Sequence, residues 1–141
     1  MASMTEQARE AFLAQTRLGT LSRLDEHGAP VSIPIWYDWD GHSVRMFTIG
    51  SSPKMRWLQR DPRVSLLVAS ELGAAEEWVA FDGRITIKNE GAIELAEQLA
   101  ARYWDLQDPG RAATLQSWRE ADGALRLLEF VPTRIRSYTH D

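Results

Sequence analysis

The stretch PVSIPIWYDWDGHSVRMFTI, residues 30–49, decides the fold class of this chain. Residues 31–37 within it are rich in β-branched and aromatic side chains, which favour strands. The pair Asp40-Gly41 is a two-residue turn signal, and residues 44–49 then alternate between two faces as a strand does. With residues 19–25, which also have a strand pattern, the stretch predicts three meandering antiparallel strands.

Pro34 indicates where one of these strands lies in its sheet, and two further strands are predicted later in the chain. Pro34 has no backbone N–H to donate, so its strand is expected at a sheet edge or bulged at that point, where a cofactor can lie against it. Residues 63–70 are apolar on both faces, as in a strand buried between two layers or against a partner subunit. Residues 76–88 predict a long fifth strand.

The helical and closing elements follow from caps and periodicity. Ser3 and Glu6 have the spacing of a capping box and predict an N-terminal helix over residues 6–15. Gly91 opens a helix with an apolar stripe at 3.6-residue spacing. The remaining segments predict a second short helix and two closing strands, over residues 111–121, 125–131 and 134–139.

Composition limits the classes of function. The length of 141 residues matches one domain, residues 1–141, and the net charge of −4 gives no global attraction to nucleic acid. No apolar run is long enough to span a bilayer, and residues 1–6 lack the pattern of a signal peptide. We therefore expect a cytoplasmic protein with neither nucleic-acid nor membrane partners. Six tryptophans are many for this length and suit protein interfaces or planar ligands.

Residues for nucleophilic or metal chemistry are scarce. The chain has no cysteine, and none of its three histidines, at positions 27, 42 and 140, has an obvious carboxylate or serine partner in sequence. Spacings typical of metal ligands are missing as well. A hydrolase is disfavoured, and no metal site is expected.

One strand–loop–helix unit has the chemistry of an anion site. In the loop at residues 50–54, GSSPK, Ser52 is a good N-cap and Pro53 a good first helical residue for a helix over residues 54–60. Two serine hydroxyls, Lys54 and Arg56 beside a helix start are typical of a phosphate site. From spacing alone, a capped helix with two exposed basic residues fits equally well.

The chain resembles a known family, the pyridoxamine 5'-phosphate oxidase-like, FMN-binding split barrels. Within that family it is similar to the enzymes that use the deazaflavin coenzyme F420. The resemblance covers residues 18 to about 88 and is specific as an ordered set. The segments that carry it are residues 30–38, the turn Asp40-Gly41, residues 46–48, the loop ending in Lys54, and residues 61–66, with a weaker echo at 132–135.

The resemblance implies a mainly β fold, a six-stranded antiparallel split β-barrel with flanking short helices, working as a homodimer with the cofactor between subunits. It implies an oxidoreductase that transfers a hydride between reduced F420 and a small organic acceptor, with FMN as the alternative cofactor. A flavin-binding or storage module without turnover, and a structural dimer with a vacant groove, remain alternatives.

The resemblance also implies a set of cofactor-binding residues and no catalytic side chain, since hydride transfer is the cofactor's chemistry. Ser32, Ile33, Pro34, Ile35 and Trp36 would lie along the ring, and Met46, Phe47 and Thr48 would line its other edge. Ser51, Ser52, Lys54 and Arg56 would hold the phosphate, and Trp78 would approach from the partner chain. Lys54, Arg56 and Arg60 would supply positive charge for the acidic tail of F420. The chain departs from the family in placing Pro53 before Lys54. It also inserts residues 103–122, which we expect to shape a substrate pocket or cover the barrel end.

Overall fold

The computed structural model describes residues 2–121 and 123–140. In chain order the elements are α1 (Glu6–Ala14), β1 (Gly19–Leu24), β2 (Pro30–Ile35), β3 (Asp38–Trp39), β4 (Val44–Ile49), α2 (Lys54–Arg60), β5 (Arg63–Ala69), β6 (Trp78–Arg84), β7 (Thr86–Lys88), α3 (Ala92–Tyr103), α4 (Pro109–Glu120), β8 (Leu125–Phe130) and β9 (Arg134–Tyr138). None of these helices is both long and apolar enough to cross a membrane.

The strands form two antiparallel sheets that do not close into a barrel. One sheet has the order β2-β1-β5-β6-β9 and the other the order β3-β4-β8-β7. The expected mainly β fold with short flanking helices is confirmed, but within the described ranges the strands number nine rather than six. The expected edge position of Pro34 is also confirmed, since β2 lies at the end of its sheet.

The main core lies between the sheets. Cross-strand neighbours Leu21, Leu66 and Phe81 are fully buried on the inner face of the five-stranded sheet. Met46 and Leu128 face them from the four-stranded sheet, in the same cluster of apolar side chains. Burial of this kind is the main source of folding free energy.

A second core lies on the outer face of the four-stranded sheet. There α3 packs its side chains Leu95, Ala96 and Leu99 against Leu125 and Leu127 of β8. The predicted apolar helix after Gly91 is therefore confirmed, with its stripe facing the sheet. This second layer carries α4, whose N-terminus is capped by Asp108.

The predicted three-strand meander is wrong. Strand β2 pairs with β1, whereas β4 pairs with β3 and β8 in the other sheet. The chain leaves one sheet at Trp36 and enters the other through buried Tyr37 and the short strand β3. Alternation of residues along the sequence predicts where the strands are, but it does not predict which strands pair.

The predicted fifth strand over residues 76–88 is also two strands. It breaks at Ile85, which is buried in the main core and whose amide donates to the carbonyl of Pro62. Just before the break, a Cβ on Gly83 would lie 2.6 Å from the Phe130 ring. The corner between the sheets therefore needs a residue without a side chain at this point.

Three smaller expectations are corrected. The N-cap of α1 is Thr5, whose hydroxyl accepts from Ala8 N, rather than Ser3. At α2 the residue in the cap position is Pro53 and no side chain caps the helix, so Ser52 does not have that role. Strand β5 is buried on one face only, because Leu67 on the other face is 40% exposed.

Candidate functional site

An apolar pocket of about 470 Å³ opens where the two sheets part, between the ends of β2 and β4 and the helices α3 and α4. Four of its ten lining side chains are aromatic. The side chains that line it are Leu18, Pro34, Ile35, Trp36, Phe47, Thr48, Ile49, Trp104, Trp118 and Leu125. Its volume lies in the range of pockets that bind small ligands and cofactors.

The aromatic rings of this pocket form one connected cluster. The ring of Trp36 stacks on Tyr103 at 5.2 Å with an interplanar angle of 2°, and meets Trp104 edge-on at 4.7 Å. Trp104 in turn stacks on Trp118 at 5.6 Å, and Trp118 meets Phe47 edge-on at 5.4 Å. These are the offset and edge-to-face arrangements that aromatic pairs prefer.

Polar contacts hold the back of the cluster in place. The hydroxyl of Tyr103 donates to the carbonyl of Arg17 at 2.6 Å. Burial raises the pKa of Tyr103, which keeps the phenol protonated as a donor. The guanidinium of Arg102 donates to the carbonyls of Leu13 and Gln15. The end of α3 is thereby tied to the segment that leads into β1.

The lining of the pocket contains no charged side chain. Its hydrogen-bonding side chains are the Thr48 hydroxyl and the indole N–H groups. A planar, mostly apolar group fits such a site, whereas a charged one would lose its hydration without a partner. The pocket can bind and orient a ring and exclude water, but its lining holds no acid or base.

The structure brings together five of the eight residues predicted along the cofactor ring: Pro34, Ile35, Trp36, Phe47 and Thr48. The other three lie elsewhere. Ile33 and Met46 face the main core, and the Ser32 hydroxyl lies 2.8 Å from that of Ser22 on the outer sheet face. Position along the strand accounts for this split, since the pocket lies at the ends of β2 and β4, where consecutive residues reach it, and the other three residues lie further from those ends.

The predicted phosphate loop lines a separate groove of about 560 Å³. Ser51, Ser52 and Arg56 are on its wall, as is Arg126 of β8, which the sequence did not single out. Arg126 donates to the carbonyls of Gly123 and Leu125, so part of its guanidinium is already in use. The exposed Arg60 is not part of the wall.

Lys54 does not join this groove. Its ammonium is half-buried on another side of α2, where burial and the charge of Arg23 lower its pKa. Residues two apart on a helix do not face each other, which explains why Lys54 and Arg56 separate. Arg23, on β1, belongs to no motif that singles it out in the sequence.

Trp78 lies on the five-stranded sheet, where its ring stacks on Tyr138 at 6.4 Å. It lines a third cavity, with Arg9, Arg134 and Arg136, rather than the aromatic pocket of the same chain. A role for Trp78 toward a partner's cofactor stays a prediction.

Trp104 and Trp118 are the main additions to the predicted site. Both belong to residues 103–122, which the sequence predicted to shape a pocket or cover the barrel end, and both line the pocket. The high tryptophan content was the signal for them. Leu18, Ile49 and Leu125 had no sequence signal, since each joins the pocket only through the sheet arrangement.

Two antiparallel sheets with flanking helices, and an aromatic pocket where the sheets part, define the class of fold to which this chain belongs. The family model for pyridoxamine 5'-phosphate oxidase matches residues 4–138, and the chain belongs to that family. Among proteins with curated functions, none matches the sequence significantly.

Several solved structures have the same fold. An F420 reductase superposes with a TM-score of 0.71 at 21% identity, covering 89% of this chain and 94% of its own. A conserved hypothetical protein from Mycobacterium tuberculosis gives 0.75 at 26% identity, covering 97% and 86%. A FAD-binding protein from Mesorhizobium loti gives 0.65 at 16% identity, covering 96% and 93%.

Proposed function

We propose that this protein is an oxidoreductase that binds a flavin-type cofactor, with F420 preferred over FMN, and passes a hydride between the reduced cofactor and a small organic acceptor. The observation that carries the proposal is the uncharged aromatic pocket formed by Trp36, Phe47, Trp104 and Trp118. The family and the similarity to an F420 reductase and a FAD-binding protein are consistent with it.

The pocket fits the ring system of such a cofactor by shape and chemistry. A planar tricyclic ring can pack against Pro34, Ile35 and Trp36 on one side of the pocket, with Phe47 and Thr48 also within reach. When bound, the cofactor supplies the hydride chemistry, and the chain supplies binding, orientation and exclusion of water. The absence of an acid or base from the lining agrees with that division of labour.

The preference for F420 rests on positive charge near the loop. F420 carries a phosphodiester and several carboxylates, whereas FMN ends in one phosphate. Arg56 and Arg126 line the groove beside Ser51 and Ser52, and Arg60 is exposed on the same short helix. In a chain of net charge −4 these guanidiniums form a local surface suited to an acidic tail that extends into solvent.

We also propose that the protein is a homodimer. The outer face of the five-stranded sheet presents Thr20, Leu67 and Pro34 in one cross-strand row, with Leu67 and Pro34 exposed. A second copy would cover this face, and the predicted role of Trp78 toward a partner's cofactor depends on it. Light scattering at micromolar concentration tests the dimer.

Equilibrium titration tests whether the protein prefers F420 or FMN. The apoprotein is titrated with F420 and with FMN at fixed ionic strength, after recording the visible spectrum of the protein as purified. We expect tighter binding of F420 and a loss of its affinity as salt rises, because its tail is held by surface charge. Tighter FMN binding, or a yellow FMN-loaded protein from purification, contradicts the F420 assignment.

Turnover is a separate question from binding. Oxidation of the reduced cofactor is followed with quinones, enones and tetrapyrroles as acceptors. We expect at least one acceptor to oxidise the cofactor faster with the protein than without it. Tight binding without turnover of any acceptor would instead favour the storage module, for which the same pocket suffices.

A further inference from the structure

The aromatic pocket has two ends that differ in what lies beyond them. Ile49 of β4 and Leu125 of β8 are cross-strand partners and line one end. Each directly precedes a residue that lines the separate groove, Gly50 and Arg126 respectively, so this end of the pocket leads toward the guanidiniums of that groove. We call it the groove end. Under the proposed function, the acidic chain of the cofactor leaves the pocket here.

The other end of the pocket lies beside Leu18 and Trp104, and we call it the Leu18 end. The hydroxyl of Tyr103 donates to the carbonyl of Arg17 at 2.6 Å, which holds the next residue, Leu18, near the C-terminus of α3, where Trp104 follows. The ring of Trp36 contacts those of Tyr103 and Trp104. Leu18 is 56% exposed, so this end of the pocket opens to solvent.

The lining at the Leu18 end carries no charge among the described residues. The guanidiniums of Arg17 and Arg102 lie nearby in sequence, but both donate to groups outside the lining of the pocket. Arg111 lies 5.9 Å from the ring centroid of Trp104, but it is exposed and outside the lining, so water and salt screen its charge. An anion that enters this end would lose its hydration without gaining a buried partner.

We propose that the hydride acceptor enters the pocket at the Leu18 end, against Trp36 and Trp104, and that this end selects an uncharged flat ring and rejects an anionic one. The proposal rests on the proposed function. Reacting atoms must come within about 3–3.5 Å, so the acceptor has to share the pocket with the cofactor ring. Since the cofactor's chain takes the groove end, the Leu18 end is the one left for the acceptor.

A neutral ring ketone such as naphthoquinone fits both the Leu18 end and the reaction. It takes up one hydride from the reduced cofactor and one proton, which gives the hydroquinone and leaves the cofactor oxidised. The lining holds no acid among the described residues, so the proton comes from water at this open end. Tetrapyrroles with ionised carboxylates are expected to be poor acceptors, because a carboxylate would be buried here without a partner.

The experiment compares a neutral and an anionic acceptor with the same ring system. The pair is naphthoquinone and a naphthoquinone sulfonated on the ring that is not reduced, assayed with whichever reduced cofactor binds. The proteins are the full-length wild type, Leu18→Arg, Val131→Arg and Trp104→Ala. Val131 is 52% exposed, does not line the pocket and lies about 20 Å along β8 from Leu125. Its variant therefore makes the same charge change as Leu18→Arg, at a similarly exposed position away from the pocket.

We expect the kcat/KM of the wild type to be about 10- to 100-fold higher for the neutral quinone than for the sulfonate. Leu18→Arg should narrow this ratio about 2- to 5-fold, the value of an exposed ion pair, and Val131→Arg should leave it unchanged. Trp104→Ala should raise the KM for the neutral quinone about tenfold, the equivalent of one aromatic contact, with the Kd of the cofactor unchanged. Equal use of both quinones by the wild type, or the same ratio in Leu18→Arg and Val131→Arg, overturns the proposal while leaving the proposed function intact.

A second measurement uses no cofactor. Naphthol and a naphthol sulfonate, which accept no hydride, are titrated by calorimetry into the wild type, Leu18→Arg and Val131→Arg. Naphthol should bind the wild type more tightly than its sulfonate, and the difference should shrink in Leu18→Arg but not in Val131→Arg. If neither cofactor binds but this pattern appears, the selection at the Leu18 end stands and the proposed function fails. Equal binding of the two naphthols by the wild type, or the same difference in both variants, refutes the selection.

Discussion

Replacing Trp118 with alanine tests the aromatic pocket where α4 closes it. The ring centroid of Trp118 lies 5.4 Å from that of Phe47, 5.6 Å from Trp104 and 6.4 Å from Trp36. Three aromatic pairs at about 0.5–1.5 kcal/mol each give about 1.5–4.5 kcal/mol. Truncation of a buried tryptophan costs about 3–5 kcal/mol, and less for a half-buried ring such as this one. We therefore expect the free energy of unfolding to fall by about 2–3 kcal/mol.

Urea denaturation followed by far-UV circular dichroism measures this loss. The protein concentration is held constant, because a dimer would make apparent stability depend on it. Alanine has the highest helix propensity, so the loss reports packing rather than a weakened α4. Under the proposed function, the affinity of the folded variant for the cofactor should also fall about tenfold, the equivalent of one aromatic contact near 1.4 kcal/mol.

Trp118→Phe is the matched control, since it keeps an aromatic face and should recover most of both losses. A change in unfolding free energy within about 0.5 kcal/mol for Trp118→Ala, as for an ordinary surface residue, would contradict the packing of α4 over the pocket. The expected loss of stability with unchanged cofactor affinity would instead show that the ring binds elsewhere.

Three further outcomes are expected. Gly83→Ala should destabilise the fold by about 1–3 kcal/mol in urea, because its Cβ would lie 2.6 Å from buried Phe130; a neutral effect would contradict this corner. Burial and Arg23 lower the pKa of Lys54, so the folded apoprotein should gain stability as pH rises from that lowered pKa to the ordinary lysine value. Lys54→Gln should abolish this pH dependence of thermal unfolding, and an identical slope would exclude Lys54 as its source. Leu67→Arg should yield a monomer by light scattering, and a persisting dimer would exclude the open sheet face as the interface.

Elements with a strong local pattern could be predicted from the sequence. The alternation at residues 44–49 gives β4 with its observed bounds, and the apolar stripe after Gly91 gives α3. The pairing of strands could not be predicted in the same way. Tyr37 turns the chain from one sheet to the other, and Ile85 breaks a continuous strand pattern, because both are buried in a core built from distant segments.

The residues of the pocket could be predicted only where they belong to segments with a strong local pattern. Pro34, Trp36 and Phe47 belong to segments with strong strand patterns, so a resemblance to a family could place them near a ring. Trp104 and Trp118 come from helices that the two-sheet frame brings over those strands. Their number in the sequence was informative, but their contact with Trp36 depends on the packing of α3 and α4 on the sheet.

The sequence alone could have predicted that Lys54 and Arg56 point to different sides of α2. It could not have predicted that Arg23 lies near Lys54. Positions 54 and 56 of a helix point to different sides, so one groove cannot use both side chains. Arg23 comes near enough for its charge to lower the pKa of Lys54 because α2 packs against β1, 31 positions earlier in the chain, and its strand position gives no sign of that proximity. Stability alone would favour a carboxylate or an apolar residue at position 23, since either would avoid repulsion from Lys54. The fold instead keeps Arg23 there with two buried N–H groups that have no partner among the described residues, while the carboxylates of Asp25 and Asp61 are engaged elsewhere.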